Sequence, residues 1–214
     1  MRGIDMTRQI DMATWSRREI FEAFSPYSNP FYVVSFNMDI RNLYDFCKKN
    51  GVGVYHAMIW CVTRAVNSVP AFRQRIVNGT VVEYDTTFPS YTFMKKGEDA
   101  FKICTISAED DLVTFDRKAR LAEESQTSLF GSYDLPLEPL IYLSCLPWIE
   151  TTCITNERNM DKDDCIPRIS WGKFRKCPDG AIIQNISVDT NHRLVDGLHI
   201  GQMGQALQSI IDSL

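Results

Sequence analysis

One histidine near the end of the chain lies in a setting suited to acid–base chemistry. His192 is followed four residues later by Asp196 and then by Gly197. A histidine changes its charge near neutral pH, so it can take a proton from a hydroxyl group without unusual tuning. The same pattern is also typical of a histidine that is hydrogen-bonded in a structural role. The rest of the chain must therefore distinguish a general base from a structural residue.

The segments on either side of His192 predict a strand and a helix. Apolar and polar residues alternate over 181–190, which predicts a strand with one apolar and one polar face. Apolar residues recur at helical spacing over 198–214, which predicts an amphipathic helix. His192 and Asp196 therefore lie on the connection between the two elements, where a rigid scaffold can hold a reactive side chain.

The rest of the chain mixes helices and strands without regular alternation. Helical patterns cover 16–24, 39–50, 55–66 and 109–124. Strand patterns cover 31–36, 75–77, 80–84, 91–94, 101–106, 140–146 and 169–174. Ser16 and Glu19 have the spacing of a capping box, and Asn78-Gly79 is typical of a tight hairpin turn. The mixture predicts an α/β two-layer sandwich with helices packed on one mixed β-sheet, and argues against a doubly wound fold.

Composition and charge exclude several classes of function. The chain of 214 residues has a net charge of −4 and no basic stretch to neutralise phosphates, so no nucleic-acid partner is expected. No apolar run approaches the roughly 18 residues that a membrane-spanning helix needs, so no membrane partner is expected. Residues 1–6 lack the apolar segment of a signal peptide, so we expect a cytoplasmic protein.

Cysteines and loops give no sign of a further site. None of the seven cysteines is spaced as Cys-x-x-Cys, so neither a zinc site nor a disulfide framework is expected. We predict reduced and mostly buried thiols. The stretch 131–139 is predicted to be a loop, and the charged stretch 156–164 is predicted to be a solvated surface.

Several segments, in one order along the chain, carry a family resemblance. They are Trp15–Glu22, Pro70–Arg73, Pro89–Thr92, Leu143–Trp148 and the His-x-x-x-Asp-Gly stretch at 192–197. Together they resemble the chloramphenicol acetyltransferases and, more distantly, the catalytic domains of lipoyl-dependent acyltransferases. Arg193 is closer to the second group, whereas Pro147-Trp148 and the overall length favour the first.

The resemblance implies a single acetyltransferase domain over residues 1–214. It implies an acetyl-CoA-dependent O-acetyltransferase, with acetyl-CoA as co-substrate, a small hydroxyl-bearing acceptor and no metal. It also implies a closed homotrimer with active sites at the subunit interfaces. In that arrangement His192 of one subunit faces Phe24, Tyr32 and Ser144 of its neighbour.

By the same resemblance, His192 is the general base that takes a proton from the acceptor hydroxyl. Ser144 donates a hydrogen bond to the oxyanion, and Ser170 replaces a threonine that holds a water near the transition state. Arg17 and Asp196 match a buried ion pair that shapes the loop under the histidine. A decayed site would lose at least one of these residues. The joint presence of His192, Ser144 and the Arg17–Asp196 pair therefore favours the enzyme over the alternative, a non-catalytic ligand-binding or scaffolding trimer of the same fold.

Two further groups of residues match positions that contact the substrates. Lys173 and Phe174 fall where the family contacts coenzyme A. The acceptor pocket is matched by Phe24, Tyr32, Phe101, Tyr142 and Ile154. Side chains that differ from those of the better-known members stand at Ala23, Ser28, Tyr142 and Ile154. We therefore expect chloramphenicol to be accepted, but less well than by dedicated resistance enzymes.

Overall fold

The helices and strands of the chain follow its hydrophobic periodicity. The computed structural model describes residues 7–131, 135 and 139–214; residues 1–6 and most of the loop expected at 131–139 lie outside this part. The helices are α1 (Arg18–Phe24), α2 (Arg41–Asn50), α3 (Val54–Asn67), α4 (Leu112–Ser125) and α5 (Gly197–Asp212), with a 3₁₀ helix at Pro70–Arg73. The strands are β1 (Thr7–Gln9), β2 (Phe31–Asp39), β3 (Gln74–Val77), β4 (Thr80–Tyr84), β5 (Phe88–Phe93), β6 (Lys102–Thr105), β7 (Leu140–Cys145), β8 (Arg168–Trp171), β9 (Arg175–Lys176) and β10 (Ile182–Asn191).

A mixed sheet of seven strands forms one layer of the fold. Its order is β2-β10-β8-β7-β5-β6, and β9 pairs with β10 beside this path. The strands β5, β7 and β8 run parallel, whereas β2, β10 and β6 are antiparallel to their neighbours. This confirms the α/β sandwich. A separate antiparallel sheet in the order β1-β4-β3 adds to the single sheet that the sequence predicts.

Two features that the sequence predicts, a tight turn and a buried helix, support this fold. Asn78 and Gly79 have φ angles of 51° and 78°, as the two-residue turn between β3 and β4 requires. The apolar helix α3 is buried because it packs against α2, α4 and α5 as well as against β5 and β7. The helix α5 packs on α3 and β2, so the turn between β10 and α5 is anchored at both ends.

Two residues on the polar face of β10 are buried. Ser187 and Asp189 are 1% and 3% exposed. The backbone N–H of Ile154 donates to Ser187 Oγ at 2.8 Å, so the chain around residue 154 covers this face. Alternation in the sequence separates the two faces of a strand but does not show whether a loop covers the polar one.

The prediction that 156–164 forms a solvated surface is wrong for Arg158. Its side chain is 4% exposed, donates to Asp189 Oδ1 at 2.8 Å and lies 3.1 Å from Asp164. Its guanidinium group also stacks over the ring of Phe31 at 4.2 Å. A buried charge needs a partner, and β10 supplies one from a distant part of the sequence.

Candidate active site

His192 lies in the turn that links β10 to α5, as the sequence predicts. Its backbone N–H donates to the carbonyl oxygen of Pro30 at 2.8 Å. Its ring stacks between those of Phe24 and Tyr32, with centroid distances of 4.6 and 4.3 Å. Both faces of the imidazole are thus covered, so only its edge can meet a reactant. Since both aromatic rings belong to the same chain, the expectation that a neighbouring subunit brings them to His192 is wrong.

The residues flanking His192 tie its turn to the segment 162–164. Asn191 Nδ2 donates to two carbonyl oxygens of that segment at 2.8 and 3.1 Å. The side chain of Arg193 donates from Nη1 to Asp163 Oδ1 at 2.5 Å. Sequence reasoning did not assign these roles to Asn191 and Arg193, although both residues are adjacent to the histidine.

The ion pair expected between Arg17 and Asp196 is present at the start of α5. Arg17 Nη1 donates to Asp196 Oδ2 at 2.6 Å, and both side chains are mostly buried. Asp196 Oδ1 accepts the N–H of Leu198, and the N–H of Asp196 donates to His199 Nδ1. Burial alone would raise the pKa of the Asp196 carboxyl, but the hydrogen bond and charge of Arg17 hold that pKa below its ordinary value. The ionised carboxylate therefore joins α1 to the N-terminus of α5.

Replacing Arg17 by alanine should destabilise the fold by about 2–3 kcal/mol near pH 7, because Asp196 loses a charge-assisted hydrogen bond. The pKa of Asp196 is lower in the folded chain than in the unfolded chain. Its stabilising effect is therefore complete above the unfolded value of about 4 and is lost as the pH falls through the folded value. Urea unfolding should show a smaller difference between the two proteins at about pH 3 than at about pH 7.

The neighbouring substitution Arg18→Ala is a matched control. Arg18 pairs with Glu22 at 2.7 Å, but both side chains are more than half exposed. Exposed ion pairs contribute little to stability, so this variant should unfold like the wild type. Equal stability of Arg17→Ala and the wild type at neutral pH would contradict the supporting role of Arg17.

Ser144 lies near the carboxyl end of β7, on the wall of an open cleft of about 930 Å³. Its Oγ lies 3.2 Å from Thr92 Oγ1 on the neighbouring strand β5. Aromatic side chains line much of the remaining wall: Phe93, Phe101, Phe130, Tyr142 and Trp148. Apolar walls with a few polar groups are typical of a site for a small molecule.

Four serines form one row across the sheet. The register pairs Ser35 with Ser187, Ser187 with Ser170, and Ser170 with Ser144. Ser170 is 1% exposed, and its Oγ donates to Asn156 Oδ1 at 3.0 Å. Asn156 lines the cleft and Ser170 does not, so the Ser170 hydroxyl is linked to the cleft through Asn156. Sequence reasoning missed Asn156, which lies in the loop that was predicted to be solvated.

The same register fixes how far His192 lies from Ser144. Ser187 belongs to the row of Ser144, two strands away, and His192 follows Ser187 by five residues. With strands about 4.8 Å apart and a rise of about 3.3 Å per residue, the two Cα atoms are roughly 20 Å apart. One chain therefore does not bring these two side chains to a common reacting atom.

The structure does not bring the residues expected in the acceptor pocket together at one site. Phe101 and Tyr142 line the cleft. Phe24 and Tyr32 cover the imidazole ring instead. Ile154 is not among the residues that line the cleft, and its N–H donates to a serine of β10.

Lys173 and Phe174 follow β8 at the edge of a small basic cluster. The ring of Phe174 meets that of Tyr44 on α2 edge-on, with centroids 5.5 Å apart. Lys176 Nζ donates to Tyr44 Oη at 3.0 Å, and Lys48 Nζ lies 5.3 Å from the Tyr44 ring. In a chain with a net charge of −4, this is a local concentration of positive charge. The resemblance indicates only Lys173 and Phe174 of the cluster.

Three further observations concern thiols, metals and membranes. All seven cysteines are free, as predicted, and four of them are buried. Within 7–131, 135 and 139–214, no group of three or more His, Cys, Asp or Glu side chains is arranged to hold a metal ion. No helix in this part of the chain is both long and apolar enough to cross a membrane.

Comparisons with known proteins identify a family and several relatives of this chain. The family model for chloramphenicol acetyltransferase matches residues 5–208. A chloramphenicol acetyltransferase of Bacillus pumilus is 28% identical over 210 residues, covering 97% of this chain and 94% of that protein. Chloramphenicol acetyltransferase 2 of Escherichia coli is 27% identical, covering 96% of this chain and 97% of that protein.

Solved structures show the same fold. A chloramphenicol acetyltransferase structure has a TM-score of 0.80 and 25% identity, covering 96% of this chain and 98% of that chain. The cubic core of the pyruvate dehydrogenase multienzyme complex has a TM-score of 0.67 and 18% identity, covering 85% of this chain and 81% of that chain. The second likeness concerns the fold alone.

The family model and the names of the relatives together indicate an acyltransferase. The chain belongs to the chloramphenicol acetyltransferase family, whose model covers nearly its whole length.

Proposed function

We propose that this protein transfers the acetyl group of acetyl-CoA to a hydroxyl group of a small acceptor. The proposal rests on two reactive groups, the imidazole of His192 and the hydroxyl of Ser144, in a chain of this family. An imidazole is held edge-out between two rings, and a serine hydroxyl lies on a cleft large enough for a small molecule. The relatives named as chloramphenicol acetyltransferases support both the acetyl group and the acceptor class.

The proposed reaction needs one base and one hydrogen-bond donor. A ring nitrogen on the open edge of His192 takes the proton of the acceptor hydroxyl. The hydroxyl oxygen attacks the thioester carbon at the same time. The carbonyl oxygen becomes an oxyanion that accepts a hydrogen bond from Ser144. When the intermediate collapses, the coenzyme A thiolate leaves and takes the proton from the imidazolium. The base contributes about 3–5 kcal/mol to lowering the barrier, and one well-aimed donor contributes about 3–4 kcal/mol.

In this proposal each active site forms between two copies of the chain. The distance of roughly 20 Å between the Cα atoms of His192 and Ser144 supports it, because these groups must lie within about 3 Å of neighbouring atoms of one substrate. Closed rings repeat such a contact without leaving an unpaired surface, which fits the homotrimer implied by the resemblance.

The basic cluster around Tyr44 supports the proposed position of coenzyme A. Lys173 and Phe174 would contact it there, and Lys48 and Lys176 add positive charge beside an aromatic ring. Coenzyme A carries several phosphates and an adenine base, and these groups bind to cations and to aromatic faces.

Release of free thiol from acetyl-CoA tests the activity directly. We expect turnover with chloramphenicol, because the groups required for the chemical step are present. Two lost apolar contacts of about 1–2 kcal/mol each at Ala23, Ser28, Tyr142 or Ile154 would raise the KM by roughly 10–10³-fold over dedicated enzymes. A micromolar KM for chloramphenicol would contradict the prediction that these four positions weaken its binding. No thiol release with any hydroxyl acceptor would contradict the function.

We also propose that residues 1–214 form one acetyltransferase domain that acts in the cytoplasm. Seven free thiols, one of them exposed at Cys153, support a reducing compartment.

A further inference from the structure

A second cluster of titratable groups lies outside the proposed catalytic residues. His56 on α3 is buried between two carboxylates of α4. Its Nδ1 lies 2.7 Å from Asp116 Oδ1, and its Nε2 lies 2.8 Å from Glu123 Oε1. Asp116 also accepts hydrogen bonds from Arg120 Nε at 2.7 Å and from the N–H of Gly53 at 3.0 Å.

This geometry requires a charged imidazole. Both ring nitrogens face carboxylate oxygens, and both can donate only when the ring is protonated. Burial alone would lower the pKa of His56, but the hydrogen bonds and charges of Glu123 and Asp116 raise it. The carboxylate of Glu123 is thus fixed in orientation by an imidazolium that is itself held from behind by Asp116.

Glu123 is the member of the cluster that reaches the cleft. It lines the same cleft as Tyr55, Thr92 and Ser144, and its side chain is 21% exposed. Its Oε1 is bound to His56, and the buried hydroxyl of Tyr91 also interacts with this carboxylate. The two oxygens of a carboxylate offer about four acceptor positions, so Glu123 presents an oriented carboxylate with remaining acceptor capacity to the cleft.

A purely structural role explains the cluster poorly. Replacing a buried ion pair by apolar residues is often neutral or stabilising, so such clusters are weak devices for stability. Perturbed titratable groups beside a cleft are instead typical of functional sites. The helices α3 and α4 already pack on each other and both contribute buried apolar residues, Phe115 among them, to the same core.

We infer that Glu123 determines acceptor specificity by accepting a hydrogen bond from an ammonium or second hydroxyl group on the acceptor, separate from the hydroxyl that is acetylated. This inference rests on the proposed acetyl transfer. The aromatic walls of the cleft fit an aryl or similarly apolar body for such an acceptor. An anionic acceptor is disfavoured, because Arg168, the one cationic residue among those that line the cleft in the described chain, is paired with Asp164 at 2.9 Å.

Two isosteric alcohols test the inference. Para-(dimethylaminomethyl)benzyl alcohol carries an ammonium donor that cannot itself be acetylated, and para-isobutylbenzyl alcohol has the same shape without the donor. We expect the wild type to prefer the ammonium compound at least about tenfold in kcat/KM, as a charged hydrogen bond would give. Glu123→Gln should reduce the preference to less than about threefold, mainly through the KM of the ammonium compound.

The control is Glu157→Gln, which removes another carboxylate from the lining of the cleft. Glu157 is exposed and has no fixed imidazolium partner among the described residues, so this variant should keep the preference. A wild type that does not distinguish the two alcohols would overturn the inference, as would a Glu123→Gln protein that keeps the preference. Should Glu123→Gln fail to fold, Glu123→Asp retains the charge but withdraws it from the cleft, and should weaken the preference.

A binding measurement separates failure of this inference from failure of the proposed function. Calorimetry with the two alcohols and the His192→Ala protein reports recognition without acetyl transfer. A preference in binding that Glu123→Gln removes supports the inference even if no thiol is released from acetyl-CoA. Acetyl transfer that proceeds with equal binding of both alcohols overturns the inference and leaves the proposed function intact.

Discussion

His192→Ala should lower acetyl transfer by at least about 100-fold while the protein keeps its fold. The substitution removes the proposed proton acceptor, and general bases of this kind contribute about 10²–10⁴-fold. The backbone contact of residue 192 with Pro30 does not involve the side chain, so the turn after β10 should persist. Thiol release under saturating substrates measures the loss, and circular dichroism checks the fold.

A second substitution, His192→Phe, distinguishes the effect of losing the proton acceptor from the effect of losing the ring contacts. The imidazole fills the space between Phe24 and Tyr32, so alanine also removes ring contacts. His192→Phe keeps an aromatic ring in that space but offers no proton acceptor. It should be as inactive as the alanine variant, and added imidazole should partly restore activity to the alanine variant alone. Near wild-type turnover in either variant would contradict the base assignment.

The strand, turn and helix around His192 could be predicted because their signals are local. Alternation over 181–190 and helical spacing over 198–214 depend only on neighbouring residues, and β10 and α5 confirm both. The Asn78-Gly79 turn is equally local, since both positions need positive φ. The family resemblance then indicated Arg17 as the partner of Asp196, which the structure confirms at 2.6 Å.

Predictions from local patterns failed where a residue forms its contacts with residues that are distant in the sequence. The spacing of Ser16 and Glu19 predicts a capping box, yet α1 begins at Arg18 and no side chain caps it. The capping box occurs instead at Asp196 and His199, whose chemistry the usual Ser/Thr-x-x-Glu pattern does not include. A local pattern cannot show which competing hydrogen bonds the rest of the fold supplies.

The charged residues of the cleft illustrate the same limit. In the sequence, Glu123 belongs to a mostly exposed charged helix, and nothing local connects it with His56, which is 67 residues away. Only the packing of α4 on α3 brings the two side chains within 2.8 Å. A charged side chain is usually solvated, so burial and pairing of this kind become visible only in the folded chain.

Mixed assemblies of two inactive variants should recover activity. His192→Ala lacks the proposed base, and Ser144→Ala lacks the proposed oxyanion donor, which should cost about 10²–10³-fold. If each site takes His192 from one subunit and Ser144 from the next, each mixed trimer contains one intact site, so roughly a third of the sites in the mixed assemblies are intact. Co-expression of the two variants under different affinity tags, followed by purification through both tags, isolates the mixed assemblies for assay.

The control pairs His192→Ala with the double variant His192→Ala/Ser144→Ala. No assembly of these two chains contains an intact histidine, so activity should stay at the level of His192→Ala alone. Sedimentation should show a trimer in every case, because neither substitution removes a large apolar contact. Recovery confined to the complementary pair would require that the two groups act from different subunits. Mixed assemblies that are no more active than their components, or a stable active monomer, would contradict the shared site, because the separation of roughly 20 Å would then have to be closed within one chain.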